Sequence, residues 1–401
     1  MTAADESQPE PTSLTQPDFH GRFLTAVYCQ GEPDRVPLVE SGINAGIKAR
    51  FLGRPIRALA DEAAFWAAAG YDLVPLEAGL RPMLDAAFQH EQSGRFESGL
   101  ADPPAVAAAK AFAIHRLSQG HPEPLEVGSV RQNWASRGEG FIHSFADLEA
   151  FPWPDPHDLD FSPLRTIREG IPSGMGAIAF AGTIFTCLLL MLGVEGCLIG
   201  IARETELFRA LLRKVGEFQL KVVEDILGFR TLDGIWISDD LAHKSAAFVE
   251  PELFRKYIFP YYRELRDLTR AKGLPLLLHS DGNLTQIIPD LVEIGFNAIH
   301  PIEPDCMDIE ETRRLVGPRV CLIGNLSLGY PLGSGSPQEV ARETEALIRK
   351  VAPGGGYCLS SASSITDAIP YENWDAMRKT ALEAGVYPIR PAEAQPRGSQ
   401  A

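Results

Sequence analysis

His279-Ser280-Asp281 sets an imidazole and a carboxylate two residues apart. At the end of a β-strand, residues so spaced point to one side, so the two groups can share a ligand or a proton. Glu303, after the next apolar run, brings a second carboxylate. His279, Asp281 and Glu303 together make a donor set acceptable to a divalent ion, zinc included. A purely structural reading of the same residues is a hydrogen-bonded strand-end His with Asp281 capping the Gly282-Asn283 turn. Asp239-Asp240 offers a carboxylate pair whose pKa values separate when crowded. Adjacent strand residues diverge, so one of the two faces a pocket while the other caps a helix or holds a loop. We assign His279, Asp281, Glu303 and Asp240 as the catalytic candidates. Glu40, Glu77, Asp239, Asn283, Asn325 and Ser363 are the substrate-binding candidates, although carboxylates at helix N-termini look the same in sequence as Glu40 and Glu77. His300, before Pro301 and out of phase with Glu303, reads as structural. Tyr257, Tyr261 and Tyr262 read as core and rim, Cys358 as buried, and Cys306 as a weak ligand.

These groups stand at the ends of short apolar runs. The runs are Val36–Glu40, Leu73–Glu77, Ala177–Gly182, Gly234–Asp240, Leu274–Gly282, Ala298–Pro304, Val320–Leu326 and Tyr357–Ser364. Each is too short for a helix, and most lack alternation, as expected of strands buried on both faces. Helical segments separate the later runs, with Pro251, Gly273 and Ser336-Pro337 as punctuation. Alternating strands and helices imply parallel pairing and right-handed crossovers. Eight runs predict an α/β fold of the (β/α)8 TIM barrel type, with an open doubly wound sheet as the alternative. In a barrel, the polar strand ends converge on one mouth. Residues 85–170 break the rhythm and read as an insertion after the second strand, with a small antiparallel element lying over that mouth. Residues 1–18 and 390–401 read as disordered tails around a barrel spanning 19–389.

Composition narrows the function. Acidic residues number 53 against 37 basic ones, a net charge of −16, so nucleic acid and anionic membranes are excluded as partners. Neither GxGxxG nor GxxxxGK[ST] stands where a phosphate loop belongs. Six scattered cysteines without a CxxC pair fit a reducing compartment, and the acidic, polar N-terminus is no secretory signal; a cytoplasmic protein is expected. Gly182, Thr183, Gly193, Glu195 and Gly196 interrupt the most apolar stretch, which argues for core rather than a membrane span.

HSDGN (279–283), HPIEP (300–304), LIGNL (322–326) and GGGYCLSSASSI (354–365) resemble the uroporphyrinogen decarboxylase-like superfamily. The stretch at 238–260 and FPWPDP at 151–156 extend the resemblance over most of residues 35–387. It implies a (β/α)8 barrel with its active site at the C-terminal mouth, and two function classes. Uroporphyrinogen decarboxylases use no cofactor and carry an Arg-rich loop after the first strand and a loop His after the last. Here GINAGIKARFLG (42–53) and Ser363 stand in those places, so the decarboxylase signature is missing. The other branch contains corrinoid-dependent methyltransferases. Those acting on coenzyme M hold zinc with a His-x-Cys pair and a later Cys, where this chain has His279, Asp281 and Ser363. A set without thiolates favours activation of an ether or alcohol oxygen. The expectation is therefore a methyltransferase taking a methyl group from a small O-methyl or related donor and passing it to a corrinoid protein, with a homodimer compatible with the sequence. The corrinoid would arrive on the partner, since no DxHxxG motif is present. The rivals are a cofactor-free decarboxylase or lyase, and a non-catalytic barrel serving as a binding module.

Overall fold

The structure, a computed structural model, describes residues 16–87, 102–120 and 140–390. Seven strands form one parallel sheet in sequential order: β1 (Leu73–Glu77), β2 (Gly176–Phe180), β3 (Gly234–Ser238), β4 (Leu276–His279), β5 (Ala298–His300), β6 (Cys321–Leu326) and β7 (Tyr357–Ser361). Every neighbour pair is parallel, so each connection must cross back along the outside of the sheet, and mostly helices do so. The architecture is a TIM-barrel-like α/β fold. Burial on both faces explains the continuous apolar runs: β2, β3 and β6 are buried at every position.

The predicted first strand, Val36–Glu40, is not a ladder strand. It touches β7 through a single parallel bridge at Leu38 and Leu359, with the Val39 amide donating to the Leu359 carbonyl at 2.9 Å. Pro37 offers no N–H, which removes one ladder bond from this run. Val39 nevertheless packs inside the ring with Leu73 of β1 and Cys358 of β7. Phe19, Phe23, Ala26 and Val27 join the same interior cluster, so the N-terminal helical turns Phe19–Phe23 and Leu24–Val27 pack into it with Trp236, Leu277 and Ile323. Gln16 to Asp18 belong to this folded unit rather than to the tail: Pro17 is buried and the Asp18 amide donates to Asp72 at 3.0 Å. The remaining residues of the two predicted tails, apart from Arg390, lie outside the described residues.

Within the insertion the regular structure of the described residues is helical, and the predicted small antiparallel element is not among them. Helices run over Leu80–Ala87, Pro104–Gly120, Phe145–Ala150 and Ser162–Gly170. The run PAVAAAKAFA explains the largest of them, since alanine has the lowest helix cost. Phe112, Phe141, Phe151 and Trp153 interlock by edge contacts, and the Phe141 and Ile142 amides both donate to the Met191 carbonyl. Residues 88–101 and 121–139 lie outside the described residues. No single described helix is long and apolar enough to cross a membrane. The bent pair Phe185–Leu192 and Val194–Ala202 reaches that hydropathy only jointly, and Phe185–Leu192 is buried throughout.

Candidate active site at the strand ends

His279 ends β4 and His300 ends β5, and the parallel register sets them side by side. Their Nδ1 atoms are 2.8 Å apart and their rings lie 5.0 Å apart between centres. Nδ1 of His279 faces inward, so Nε2 is left for the mouth. It lies 3.6 Å from Asp281 Oδ1 and 3.8 Å from Asp240 Oδ1. One ligand atom from each of Asp240, His279 and Asp281 falls within 4.8 Å of the others.

Glu303, expected in this set, sits apart from that trio. Its Oε2 accepts the Gly282 amide at 2.6 Å and the Cys306 thiol at 3.5 Å. Ile302 takes φ +54°, which turns the chain after His300, and the Asn325 amide holds the Ile302 carbonyl at 2.8 Å. Asp240 takes the third place because it leaves β3 beside β4, with its Oδ1 accepting the Asp281 amide at 3.1 Å. Gly282 is required at the turn between them: at φ +86°, a Cβ there would meet the Ala242 carbonyl oxygen at 2.5 Å.

Electrostatics follows from this crowding. Burial, then the charges of Asp240 and Glu303, pushes the Asp281 carboxyl well above the ordinary carboxylate range, with Arg81 opposing them. The Cys306 thiol is pushed up to about 12 by burial and by Glu303, so it is a thiol donor rather than a thiolate ligand.

The other predicted residues divide. Asp239 is fully buried. It accepts the amides of Ile184, Phe185 and Thr186 at the start of the Phe185–Leu192 helix and the Tyr262 hydroxyl at 2.8 Å, so it caps a helix rather than orienting a substrate. Asn283 braces its loop, donating to the Cys306 carbonyl and accepting the Thr285 amide. Asn325 spends its amide on Ile302. Glu77 ends β1, half-buried. Ser363 is half-buried, and its carbonyl accepts from Ser361 at 2.5 Å.

Glu40 is fully buried and cannot touch a substrate in the mouth. It accepts the Ser361 amide at 2.8 Å, the Ser361 hydroxyl at 2.7 Å and the Ser360 hydroxyl at 3.2 Å. Burial outweighs these hydrogen bonds and raises its pKa to about 8. A carboxyl whose pKa is higher folded than unfolded favours the native state below its unfolded value and loses that contribution as pH rises through the folded one. Between pH 5 and 9 the protein is therefore expected to lose on the order of 4 kcal/mol of stability that Glu40→Gln does not lose. Denaturant titrations of both proteins across that range check it; parallel curves would refute it.

Sequence reasoning read His300 as structural and left Ser360 and Ser361 out of the candidate set. His300 Nε2 lies 3.2 Å from Ser360 Oγ, and the Trp236 ring packs edge-on against it with centres 5.1 Å apart. The signal available was the alignment of three strand ends, which a linear scan for paired residues does not weigh.

The fold and site define a TIM-barrel-like protein with an acid–imidazole centre at the C-terminal strand ends. The family model described as Uroporphyrinogen decarboxylase (URO-D) matches residues 135–384, and the chain belongs to that family. It is 26% identical over 258 residues to the uroporphyrinogen decarboxylase of Alkalilimnicola ehrlichii, covering 59% of this chain and 66% of that one. It is also 26% identical over 145 residues to the methylcobamide:CoM methyltransferase MtaA of Methanosarcina barkeri, covering 36% of this chain and 40% of that one. The chain thus spans just under two thirds of the first of these relatives and less than half of the second. Among solved structures, a methyltransferase from Methanosarcina mazei superposes with a TM-score of 0.60 at 17% identity, over 92% of this chain and 99% of that one, which supports the fold.

Proposed function

We propose that this protein is a methyltransferase that removes a methyl group from a small O-methyl or related substrate and delivers it to a corrinoid protein. The observation that carries the reading is the grouping of Asp240, His279 and Asp281 at the mouth. The likeness to MtaA supports the choice of branch within the family.

The three residues fit a divalent cation. Asp281 Oδ1 is buried and has no hydrogen-bond partner among the described residues, while the Asp240 carboxylate and the His279 imidazole lie beside it. One nitrogen and two carboxylate oxygens suit zinc or another borderline ion. When bound, such an ion acts as a Lewis acid on a substrate oxygen and makes it a better leaving group. The chain's own residues do the rest. Asp240 holds the Asp281 backbone, Glu303 holds the Gly282 turn, and the His279 ring is fixed from behind by His300. Arg81, whose field reaches Asp281, tempers the local negative charge.

The decarboxylase reading draws on the relatives of that name and on the raised Asp281 carboxyl, a candidate proton donor. A substrate rich in carboxylates needs several cationic partners. Among the described residues, Arg81 and Lys244 reach this region against Asp240, Asp281 and Glu303. The test is elemental analysis followed by a methyl-transfer assay with a reduced corrinoid acceptor across aryl and alkyl methyl ethers. Transfer that depends on added zinc or another divalent ion supports the proposal. Decarboxylation by the chelated protein, with no transfer across the panel, would replace it.

A further inference from the structure

Four polar side chains run from the mouth into the buried interior without a gap. His279 Nδ1 meets His300 Nδ1 at 2.8 Å, His300 Nε2 meets Ser360 Oγ at 3.2 Å, and Ser360 Oγ meets Glu40 Oε2 at 3.2 Å. His279, His300, Ser360 and Glu40 are all buried. They come from β4, β5, β7 and the Val36–Glu40 run, so sheet curvature and the docking of that run against β7 assemble them. We propose that Glu40, Ser360 and His300 are positioning residues that set the tautomer of His279, so that one proton on Glu40 decides whether His279 Nε2 offers the mouth a lone pair or an N–H.

Ser361 Oγ also lies 2.7 Å from Glu40 Oε2 and can turn its own proton to the Ser363 carbonyl; taken as one continuous chain through Ser360, the four groups have two consistent directions. With Glu40 ionised, the Ser360 hydroxyl donates to it. His300 then donates from Nε2 to Ser360 and must accept at Nδ1. His279 therefore carries its proton on Nδ1 and presents a bare Nε2 beside Asp240 and Asp281. With Glu40 protonated, its hydroxyl donates to Ser360 and every bond reverses. His300 donates from Nδ1, His279 accepts at Nδ1, and its proton sits on Nε2.

The two states differ by one proton. A proton arriving at His279 Nε2 sends the Nδ1 proton to His300 Nδ1. The His300 Nε2 proton moves to Ser360 Oγ, and the Ser360 hydroxyl proton moves to Glu40 Oε2. Each relay atom is refilled and the proton is stored at Glu40. Tyr71 also lies in the field of Glu40. The raised pKa of Glu40 places the reversal near neutral to mildly alkaline pH. Histidine ligands depend on such partners for tautomer and orientation.

The wire deepens the reading of Asp240, His279 and Asp281 as a cation site, and its test is separable from that reading. Glu40→Gln locks one direction. The Ser361 amide keeps the side-chain carbonyl at the Oε1 position, leaving the NH2 to donate toward Ser360. Ser360→Ala cuts the wire with little change in volume. The measurement is ¹⁵N NMR of histidine-labelled, metal-free protein from pH 7 to 10, with His279 assigned by its loss in His279→Gln. The wild type is expected to pass from the Nε2–H to the Nδ1–H tautomer as pH rises. Glu40→Gln is expected to hold Nε2–H throughout, and Ser360→Ala to lose the pH-linked switch. Zinc affinity of Glu40→Gln at pH 7.5, read by chelator competition, is expected to fall about 10- to 100-fold. A His279 tautomer that ignores both substitutions overturns the inference, whether or not the protein transfers methyl groups. A switch that behaves as stated supports it even if no cation binds, in which case only the proposed function fails.

Discussion

His279→Ala is expected to lower methyl transfer by about 10³-fold or more while leaving the fold intact. The imidazole bridges the two halves of the site: Nε2 faces Asp240 and Asp281, and Nδ1 faces His300. Its removal takes away one donor of the proposed cation site and uncouples the mouth from the buried hydrogen bonds behind it. Residues that act as one unit give non-additive losses, so His279→Ala/Asp281→Ala should be scarcely worse than the worse single variant. Far-ultraviolet circular dichroism and a denaturant midpoint close to the wild type's establish that the loss is chemical. Activity within tenfold of wild type in a folded His279→Ala protein would remove His279 from the mechanism.

The largest expected loss of stability lies at the other end of the interior. Asp72, just before β1, is buried between two buried guanidiniums. Its Oδ1 accepts Arg22 Nη1 at 2.6 Å and the Asp18 amide, and its Oδ2 lies 3.4 Å from Arg35 Nη1. Arg22 also forks onto Asp34 with two contacts of 2.6 Å. Burial still pushes the Asp72 carboxyl upward, the guanidiniums pulling against it. Truncating one partner of a buried pair strands the other charge, which costs about 3–5 kcal/mol. Asp72→Ala is therefore expected to lose that much in equilibrium denaturation, with Asp72→Asn losing less because it keeps an acceptor for Arg22. The Phe19–Phe23 turn, tied down through Asp18 and Arg22, should become the first segment exposed to protease. A loss below about 1 kcal/mol would show that the cluster relaxes around the missing carboxylate.

The line between what sequence determined and what folding decided runs through the site. Strand identity was legible because both-face burial forces uninterrupted apolar runs, and the seven later runs all became sheet strands. Val36–Glu40 was the exception: its apolar pattern marked a place inside the ring, but Pro37 and a single bridge keep it out of the ladder. The helices in the described part of the insertion went unread because prolines and glycines drew attention away from an alanine-rich segment.

The meeting of His279 with Asp281 follows from spacing alone, since residues two apart at a strand end share a side. Everything lateral depended on register. His300 looked structural in one dimension, yet its pairing opposite His279 makes it the link to Ser360 and Glu40. Asp239 and Asp240 are equivalent on paper; the start of the Phe185–Leu192 helix claims the first carboxylate and leaves the second to His279. Glu303 lost its place because a left-handed residue at 302 carried it to the Gly282 amide. Sequence thus fixes which groups exist and which way neighbours along one strand point. Which groups on different strands meet, and which carboxylates are already satisfied by backbone amides, is set by sheet curvature and by the donors that packing brings within hydrogen-bond reach.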